Sequence, residues 1–137
     1  MPNATTGAII YSKDNDNIEI LLTKRNIEPF KGYWCLPGGH VDKYEKVEGA
    51  IIREVKEETN MDFEPHFLCY MDEIIPGKHI HNVVLMFYGT ASNTPEADKE
   101  EVSDIGWFSL SEALKLPLAF NHKEALLFFN EQVFSEI

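Results

Sequence analysis

The most informative stretch of the sequence runs from Gly39 to Met61 and reads GHVDKYEKVEGAIIREVKEETNM. Residues 47–59 have no proline, one glycine near their start and many good helix formers, so they are predicted to form a helix. At about 100° per residue, the carboxylates of Glu54, Glu57 and Glu58 fall within an arc of roughly 100° on that helix. The apolar side chains beside them are those of Val47, Ile51, Ile52 and Val55. The helix is therefore predicted to bury one side and to present three converging carboxylates next to it.

Three neighbouring carboxylates repel one another. Glu54 and Glu58 are four residues apart, and like charges at that spacing cost an isolated helix roughly 0.2–0.5 kcal/mol per pair. Hard divalent cations relieve such repulsion, and Mg²⁺ typically binds one or two carboxylates together with water and phosphate oxygens. The cluster therefore suits Mg²⁺, with Mn²⁺ as the alternative. Without further context, a solvated acidic face is the commoner meaning of three glutamates on a helix.

The residues before the helix supply that context. Two glycines end the segment Trp34-Cys35-Leu36-Pro37-Gly38-Gly39, where backbone groups can approach a metal ion or a phosphate closely. The spaced pattern consists of Gly39, Glu45, Arg53, Glu54, Val55, Glu57, Glu58 and Met61. It resembles the signature of the Nudix hydrolase family, GX5EX7REUXEEXGU, in which U is a bulky apolar residue.

One position departs from this signature, because Asn60 stands where the family has glycine. Asparagine tolerates positive φ angles well, so the turn that ends the helix is expected to survive. At ordinary residue frequencies in a chain this rich in glutamate, a chance match of the other positions is on the order of 10⁻⁵ to 10⁻⁴ per sequence. The resemblance is therefore specific, and the flanking segments extend it over nearly the whole chain.

The resemblance implies an α/β protein with the Nudix fold, an α/β/α sandwich with a mixed β-sheet, in a single domain over residues 1–137. The length and the ordinary globular composition also fit one domain. Strands are predicted at residues 5–11, 18–23, 63–75, 82–91 and 105–108. Further helical segments are predicted at residues 110–114 and 121–134.

The resemblance also implies roles for individual residues. The metal ligands would be the Gly39 carbonyl oxygen, Glu54, Glu57 and Glu58. Glu45 and Arg53 would pair and hold the loop to the helix. Metal ions that bridge adjacent phosphates neutralise charge, orient the substrate and make a water molecule acidic enough to attack phosphorus near neutral pH. The expected activity is hydrolysis of the phosphoanhydride bond in a nucleoside diphosphate linked to another moiety, of the ADP-ribose or nucleotide-sugar type.

Several alternatives to this activity stay open. One is a nucleotide-pool-cleaning (d)NTP pyrophosphohydrolase, another is a metal-dependent phosphatase, and a third is a non-catalytic module that senses a nucleotide ligand. The full set of Glu54, Glu57 and Glu58 favours catalysis, because a module that only binds would not need all three.

The general base that removes the proton from the attacking water is open among Glu57, Glu100 and Glu101. Family members differ in whether a signature glutamate or one from a later loop has this role. Glu101 lies six residues before Trp107 and is the preferred late candidate. The alternative for the acidic run at residues 95–104 is a solvated loop.

Candidate substrate contacts lie mostly in loops. Arg25 is placed where several relatives use a basic residue for a substrate phosphate. Phe30, Tyr33 and Trp34 could stack on a base, although aromatic loop residues more often pack against the domain. The candidate substrate-binding set is Arg25, Trp34, Leu36, Gly38, His40 and Asn121.

Asn121 lies in the segment Leu118-Ala119-Phe120-Asn121-His122. This segment resembles the Phe-Asp-His segments of ADP-ribose hydrolases, and its asparagine is also similar to the base-reading asparagines of nucleotide-pool-cleaning relatives. A purely structural role is open as well, because asparagine is strongly preferred as the N-cap of a helix.

Composition narrows the class of partner. The formal net charge of −11 disfavours nucleic acid and anionic membranes, which are held through many contacts to lysine and arginine. A small nucleotide substrate remains possible. No targeting segment or membrane span is seen, so a cytoplasmic location is expected, and a homodimer is expected from the family alone.

Cysteine and histidine suggest no other chemistry. Cys35 and Cys69 have no CxxC spacing and are expected to be reduced structural thiols. His79 and His81 have no clustered third ligand for zinc, so they are expected to be strand or loop histidines.

Overall fold

The computed structural model describes all residues from 1 to 137. Its strands are β1 (Asn3–Asp14), β2 (Asn17–Arg25), β3 (Trp34–Cys35), β4 (Gly38–His40), β5 (Asp62–Phe63), β6 (His66–Ile75), β7 (Ile80–Gly89), β8 (Ala91–Ser92) and β9 (Val102–Ser109). The helices are α1 (Val47–Thr59), α2 (Leu110–Ala113) and α3 (His122–Gln132), with single 3₁₀ turns at Pro76–Lys78 and Phe134–Glu136. None of the helices is long and apolar enough to cross a membrane.

The strand β1 organises the main sheet, whose order is β3-β2-β1-β7-β6. It runs parallel to β7 from Asn3 to Ile10, and antiparallel to β2 from Tyr11 to Asp14. Over Thr5–Gly7 its other edge pairs with the short β4 instead of β2. The sheet is therefore mixed, and its β2 and β7 halves separate toward the start of β1, where a cleft opens between them.

Buried apolar side chains form two clusters on opposite faces of this sheet. On one face, Ile51 and Val55 of α1 pack in a cluster with Ile10. On the other face, Phe129 of α3 packs in a cluster with Ile9. Adjacent residues of β1 contribute to different clusters because successive side chains of a strand point to opposite faces. The result is a three-layer α/β/α arrangement.

The predicted signature helix is confirmed with the bounds given by the sequence. Asn60 ends it in the left-handed conformation, with φ 65° and ψ 11°, so asparagine does take the place of the signature glycine. One expectation is wrong, because Ile52 is 39% exposed. The buried stripe is formed by Ile51 and Val55, and Ile52 lies about 100° further round the helix than Ile51.

The strands differ from the predicted ones at most of their ends, and the segment predicted as one strand at residues 82–91 is divided between β7 and β8. The segment predicted as one strand at residues 63–75 is split into β5 and β6 around Glu64 and Pro65, because proline has no N–H to continue a ladder. The late strand is longer than predicted, since its pairing with β2 starts at Val102.

The N-cap interpretation of Asn121 is also wrong. Its side chain makes no cap hydrogen bond to α3, and its Nδ2 instead donates to the carbonyl oxygen of Asp72 at 3.0 Å. By contrast, α2 has a complete capping box between Ser109 and Glu112. Asn121 therefore ties the beginning of α3 to β6.

The close pairing of β4 with β1 gives a stability prediction. Gly38 has φ 154°, and a Cβ atom added there would overlap the carbonyl group of Thr6. Because backbone atoms cannot move aside without disturbing the pairing, Gly38→Ala is expected to lower the free energy of unfolding by roughly 1–3 kcal/mol. Urea denaturation followed by circular dichroism measures this change.

Gly49→Ala is the matched control, because an added Cβ on this α1 residue meets nothing within 4 Å. It is expected to raise the free energy of unfolding by about 0.5–1 kcal/mol, since alanine is the better helix former. A Gly38→Ala protein as stable as the wild type would contradict the described contact.

Candidate active site

A cavity of about 450 Å³ lies in the cleft between the two halves of the sheet. One part of its wall, called the acidic end here, consists of Gly38, Gly39, Glu54, Glu58 and Glu101. Another part, called the distal row, consists of Asn3, Asn82 and Glu73. Arg25, Leu36, Phe120 and His122 also line the cavity.

Glu58 is the most buried carboxylate of the acidic end, at 9% exposure. Its Oε1 accepts a hydrogen bond from the backbone N–H of Gly38 at 2.9 Å. Burial raises the pKa of Glu58 well above its ordinary value; the Gly38 hydrogen bond opposes this rise, and the negative charges of Glu54 and Glu101 add to it. Burial likewise raises the pKa of Glu54, although its hydrogen bond with Arg53 works in the opposite direction.

The two glycines of β4 make this close approach possible. A Cβ atom on Gly39 would lie 2.6 Å from the carboxyl carbon of Glu54. The Gly39 carbonyl oxygen accepts a hydrogen bond from Thr6 Oγ1 at 3.1 Å. The absence of a side chain at Gly39 therefore lets the backbone of β4 approach the Glu54 carboxylate of α1 closely.

Arg53 joins the loop to the helix, as the resemblance implied. Its Nε and Nη2 donate to the two carboxylate oxygens of Glu45 at 2.8 and 3.0 Å, a bidentate geometry that favours strong pairing. Nη1 donates to Glu54 at 3.0 Å, and Nη2 also donates to the carbonyl oxygen of His40 at 3.1 Å. The hydrogen bonds from Arg53 lower the pKa of Glu45 to about 2.

Glu57 is placed differently from its two neighbours. Its side chain is 58% exposed and contacts Arg53 Nη1 at 3.3 Å, and it does not line the cavity. The expected convergence of three signature carboxylates is thus seen for Glu54 and Glu58 only. As the side chains stand, no three acidic, histidine or cysteine side chains lie close enough together to hold a metal ion.

Glu101 joins the acidic end from the loop before β9. It lies close enough to Glu54 and Glu58 for its charge to raise the pKa of both. Its backbone N–H donates to Asp98 Oδ1 at 3.1 Å, and its carbonyl oxygen accepts from the N–H of Asn26 at 2.8 Å. Glu100, the other late candidate, does not line the cavity.

The donors at the acidic end fit a hard divalent cation. They are carboxylate oxygens and a carbonyl oxygen, which is the ligand chemistry that Mg²⁺ and Mn²⁺ prefer. Glu58 is nearly buried without a lysine or arginine in salt-bridge contact. Because an uncompensated buried charge costs several kcal/mol, a cation bound here would stabilise the carboxylates.

Four of the six candidate substrate contacts line the cavity, namely Arg25, Leu36, Gly38 and His40. Arg25 Nε donates to the carbonyl oxygen of Pro29 at 2.7 Å, and the guanidinium carbon lies 4.9 Å from the centre of the Phe120 ring. The side chain is therefore held in place on its aromatic neighbour.

Trp34 and Asn121 are not part of the cavity wall. The indole of Trp34 packs edge-on against Phe108, with ring centres 5.1 Å apart. Phe30 packs against Tyr33 and Phe120 at 5.4 and 4.9 Å. The aromatic loop residues thus pack against other aromatic side chains of the domain, and base stacking by Trp34 stays a prediction.

The family model described as NUDIX domain matches residues 1–129. The chain belongs to the Nudix family. ADP-ribose pyrophosphatase of Methanocaldococcus jannaschii is 33% identical over 120 residues, which are 85% of this chain and 67% of that protein. The ADPR responsive transcriptional repressor NtrR of Acinetobacter baylyi is 28% identical over 91% of this chain, which spans only 52% of the repressor.

Solved structures confirm the Nudix fold. The MutT NUDIX hydrolase of Burkholderia pseudomallei has a TM-score of 0.84 and 35% identity, with 97% of this chain and 98% of that chain covered. The NUDIX domain of Shewanella oneidensis NrtR, solved in complex with ADP ribose, has a TM-score of 0.86 and 25% identity, with 97% and 89% covered. The predicted α/β/α sandwich with a mixed sheet is therefore correct, and so is its assignment to the Nudix hydrolases.

Sequence reasoning missed His122 as a cavity residue of this Nudix chain. It is 8% exposed, and its Nδ1 accepts a hydrogen bond from the backbone N–H of Leu36 at 3.0 Å. Burial lowers the pKa of His122 to about 3, so the ring is neutral at pH 7 and carries its proton on Nε2. In the segment Phe120-Asn121-His122 the sequence predicts Asn121 as the substrate contact, whereas Phe120 and His122 are the residues that line the cavity.

Glu73, Asn82, His79 and His81 also line the cavity without having been proposed. Burial raises the pKa of Glu73, while a hydrogen bond from Asn82 lowers it. A signal for Glu73 existed, because its neighbours two positions away in the predicted strand, Met71 and Ile75, are apolar and lie on the same face of the strand. Cys35 lines the cavity too, and burial raises the pKa of its thiol to about 11, in agreement with a protonated structural thiol.

The buried charge of Glu58 predicts how stability depends on pH. Because its pKa is higher in the folded than in the unfolded protein, the folded state binds more protons between the two values. Without divalent cations, stability should therefore fall as the pH rises from the ordinary glutamate pKa through the raised pKa of Glu58. Glu58→Gln should be more stable than the wild type at neutral pH, with a flatter pH dependence.

Thermal unfolding midpoints in EDTA across the mildly acidic to neutral range measure this effect. Glu131→Gln, which removes one negative charge from an exposed position of α3, is the matched control and should keep the wild-type slope. Adding Mg²⁺ should raise the midpoint of the wild type more than that of Glu58→Gln. A Glu58→Gln protein with the wild-type pH slope would show that the Glu58 carboxylate does not cause the pH dependence of stability.

Proposed function

We propose that residues 1–137 act as one Nudix domain that uses Mg²⁺, or Mn²⁺ in its place, to hydrolyse a phosphoanhydride bond. The proposed substrate is a nucleoside diphosphate linked to another moiety, of the ADP-ribose or nucleotide-sugar type. The observation that carries the proposal is the acidic end, where Glu54, Glu58, Glu101 and the Gly39 carbonyl meet beside a cavity that also contains Arg25.

The proposed ligands of the cation are Glu54, Glu58 and the Gly39 carbonyl oxygen. Glu57 would complete the set if its side chain left Arg53. Its contact with Arg53 is the longest that this arginine makes to a signature glutamate. The bound cation would supply charge neutralisation on the phosphates and a more acidic water. Arg53 and Glu45 would hold the loop after β4 to α1 through their bidentate pair.

Arg25 is proposed to hold a substrate phosphate. Its Nε donates to the carbonyl oxygen of Pro29, and the two terminal nitrogens would form the two-pronged contact that arginine makes with phosphate. His40 and the Gly38 region would border the same phosphates from β4. The net charge of −11 supports a small nucleotide rather than a nucleic acid as the ligand.

The choice of substrate is supported by the names of two relatives. The Methanocaldococcus protein is named ADP-ribose pyrophosphatase, and the Shewanella domain was solved with ADP ribose. The experiment is incubation with Mg²⁺ and a panel of ADP-ribose, nucleotide sugars, diadenosine polyphosphates and modified dNTPs, followed by identification of the products. Two phosphate-bearing products from ADP-ribose would support the proposal; free orthophosphate as the direct product would indicate a phosphatase.

Glu58→Gln is expected to lower turnover of the preferred substrate by at least about 100-fold, because it removes a carboxylate that would hold the cation. Steady-state kinetics at saturating Mg²⁺ measure the loss, and circular dichroism verifies the fold. Glu131→Gln should keep wild-type turnover. Full activity of Glu58→Gln would reject the proposed cation ligands.

A sensor function is the second candidate, and the Acinetobacter relative favours it, since that protein is named as an ADPR responsive repressor. A chain that binds ADP-ribose with Mg²⁺ but cleaves nothing in the panel would support the sensor. Cleavage of modified dNTPs in preference to ADP-ribose would instead support a nucleotide-pool-cleaning enzyme.

Glu101 is the proposed general base, because it lines the cavity whereas Glu57 is turned toward Arg53. Glu101→Gln is expected to remove the acidic limb of the pH–rate profile, since only the loss of a base abolishes it. Glu57→Gln should lower the rate yet keep that limb. Profiles of kcat against pH for the two variants decide between them, and the reverse pattern would assign the base to Glu57.

A further inference from the structure

The distal row consists of three polar side chains on three neighbouring strands. Asn82 of β7 is the register partner of Asn3 in β1 and of Glu73 in β6. Residues paired in this way project to the same face of a sheet, and all three line the cavity. The strands therefore present a continuous line of hydrogen-bonding groups away from the signature helix.

Glu73 is the unusual member of this row. It is only 4% exposed and takes part in no salt bridge. Its side chain accepts a hydrogen bond from Asn82 Nδ2 at 2.8 Å, and the backbone N–H of Asn121 is a second donor toward it. An apolar residue would pack at this position without the cost of burying a charge, so the carboxylate points to a ligand.

His122 adds a donor to the same cavity. Its Nδ1 is fixed as an acceptor by Leu36, so the proton is on Nε2. That nitrogen has no hydrogen-bond partner in the protein. Every side-chain nitrogen or oxygen that is fully sealed from solvent does have such a partner. Nε2–H must therefore reach the space in the cavity, and a ligand there meets both a donor and several acceptors.

Groups with both donor and acceptor character suit such a wall, and hydroxyl groups have it. A carboxylate that accepts from a ribose hydroxyl is the arrangement used by dinucleotide-binding folds. A nucleobase would instead need a free apolar face. Phe120 is the one phenyl ring in the cavity wall, and it already contacts Arg25 and Phe30.

The distance between the acidic end and the distal row also suits a ligand that contains both a phosphate and a sugar. Thr6, which holds the Gly39 carbonyl oxygen, is three residues from Asn3 on β1. At about 3.3 Å per residue this separation is roughly 10 Å along the strand, enough to place a phosphate at one end and a sugar at the other.

We propose that the distal row recognises the vicinal hydroxyl groups of a pentose ring in the substrate, with Glu73 as the hydroxyl acceptor and Asn82 as the residue that orients it. This inference rests on the proposed function for the identity of the substrate as a nucleotide derivative. The pentose is either the terminal sugar of the substrate or the ribose of its nucleoside.

The test is binding of cleavage-type products, which requires no turnover. Ribose 5-phosphate, 2-deoxyribose 5-phosphate, AMP and 2′-deoxy-AMP are titrated with Mg²⁺ into the wild-type protein, and dissociation constants are obtained from NMR amide shifts. The loss of one hydrogen bond to a charged group corresponds to a preference of about tenfold for the 2-hydroxyl form. Glu73→Gln should reduce that preference to less than about twofold. Glu64→Gln, an exposed residue outside the cavity, should preserve it.

The four probes separate the two sources of the pentose. A preference between the sugar phosphates assigns the distal row to the terminal sugar, and a preference confined to the AMP pair assigns it to the nucleoside ribose. Equal affinities, an unchanged preference in Glu73→Gln, or no binding of any probe would overturn the inference. If Glu73→Gln does not fold, Asn82→Ala takes its place, and an unchanged preference there has the same meaning.

Failure of this inference is distinguishable from failure of the proposed function. If the protein hydrolyses ADP-ribose but shows no preference for the 2-hydroxyl probes, the pentose assignment of the distal row is wrong and the proposed hydrolase function stands. If the preference is present and disappears in Glu73→Gln, but no substrate is cleaved, the pentose site stands and the proposed hydrolase function is wrong.

Discussion

A nearly buried carboxylate next to two consecutive glycines is the constraint on which the active-site region depends. Glu58 reaches the backbone N–H of Gly38, and Glu54 lies against Gly39. A side chain in place of Gly39 would overlap the Glu54 carboxylate, and one in place of Gly38 would overlap the backbone of Thr6 in β1. Burial, together with the negative charges of Glu54 and Glu101, raises the pKa of Glu58, so the folded chain holds an electrostatic cost that a bound cation would relieve.

The sequence predicted the part of the fold that local rules determine. Helix α1 begins and ends where the helix formers do, and Asn60 ends it because asparagine accepts a left-handed conformation. Pairing partners and the exact extent of strands were less accessible, since they depend on contacts between distant residues. The break at Pro65 could have been read locally, whereas the extension of β9 to Val102 depends on its register with β2.

The residues of the candidate site also divide into those that the sequence predicts and those that it does not. Residues in the signature were found from spacing, and the Glu45–Arg53 pair is present at hydrogen-bond distance. The position of Glu57 was not accessible, because the helical wheel places its Cα but not the direction of a long side chain that Arg53 attracts. Glu73 and His122 reach the cavity through sheet register and chain reversal, neither of which spacing in sequence encodes.

The hydrogen bond from Leu36 to His122 has a consequence for how the molecule is made. It joins residues separated by 86 positions, whereas β1, β2 and β4 lie close together in sequence. During synthesis, which proceeds from the amino terminus, the strands and α1 can assemble while the Leu36 amide still has no partner. The cavity wall is completed only after the segment that contains α3 has emerged from the ribosome, so in a nascent chain the cavity would form later than the pairing of β1 with β2.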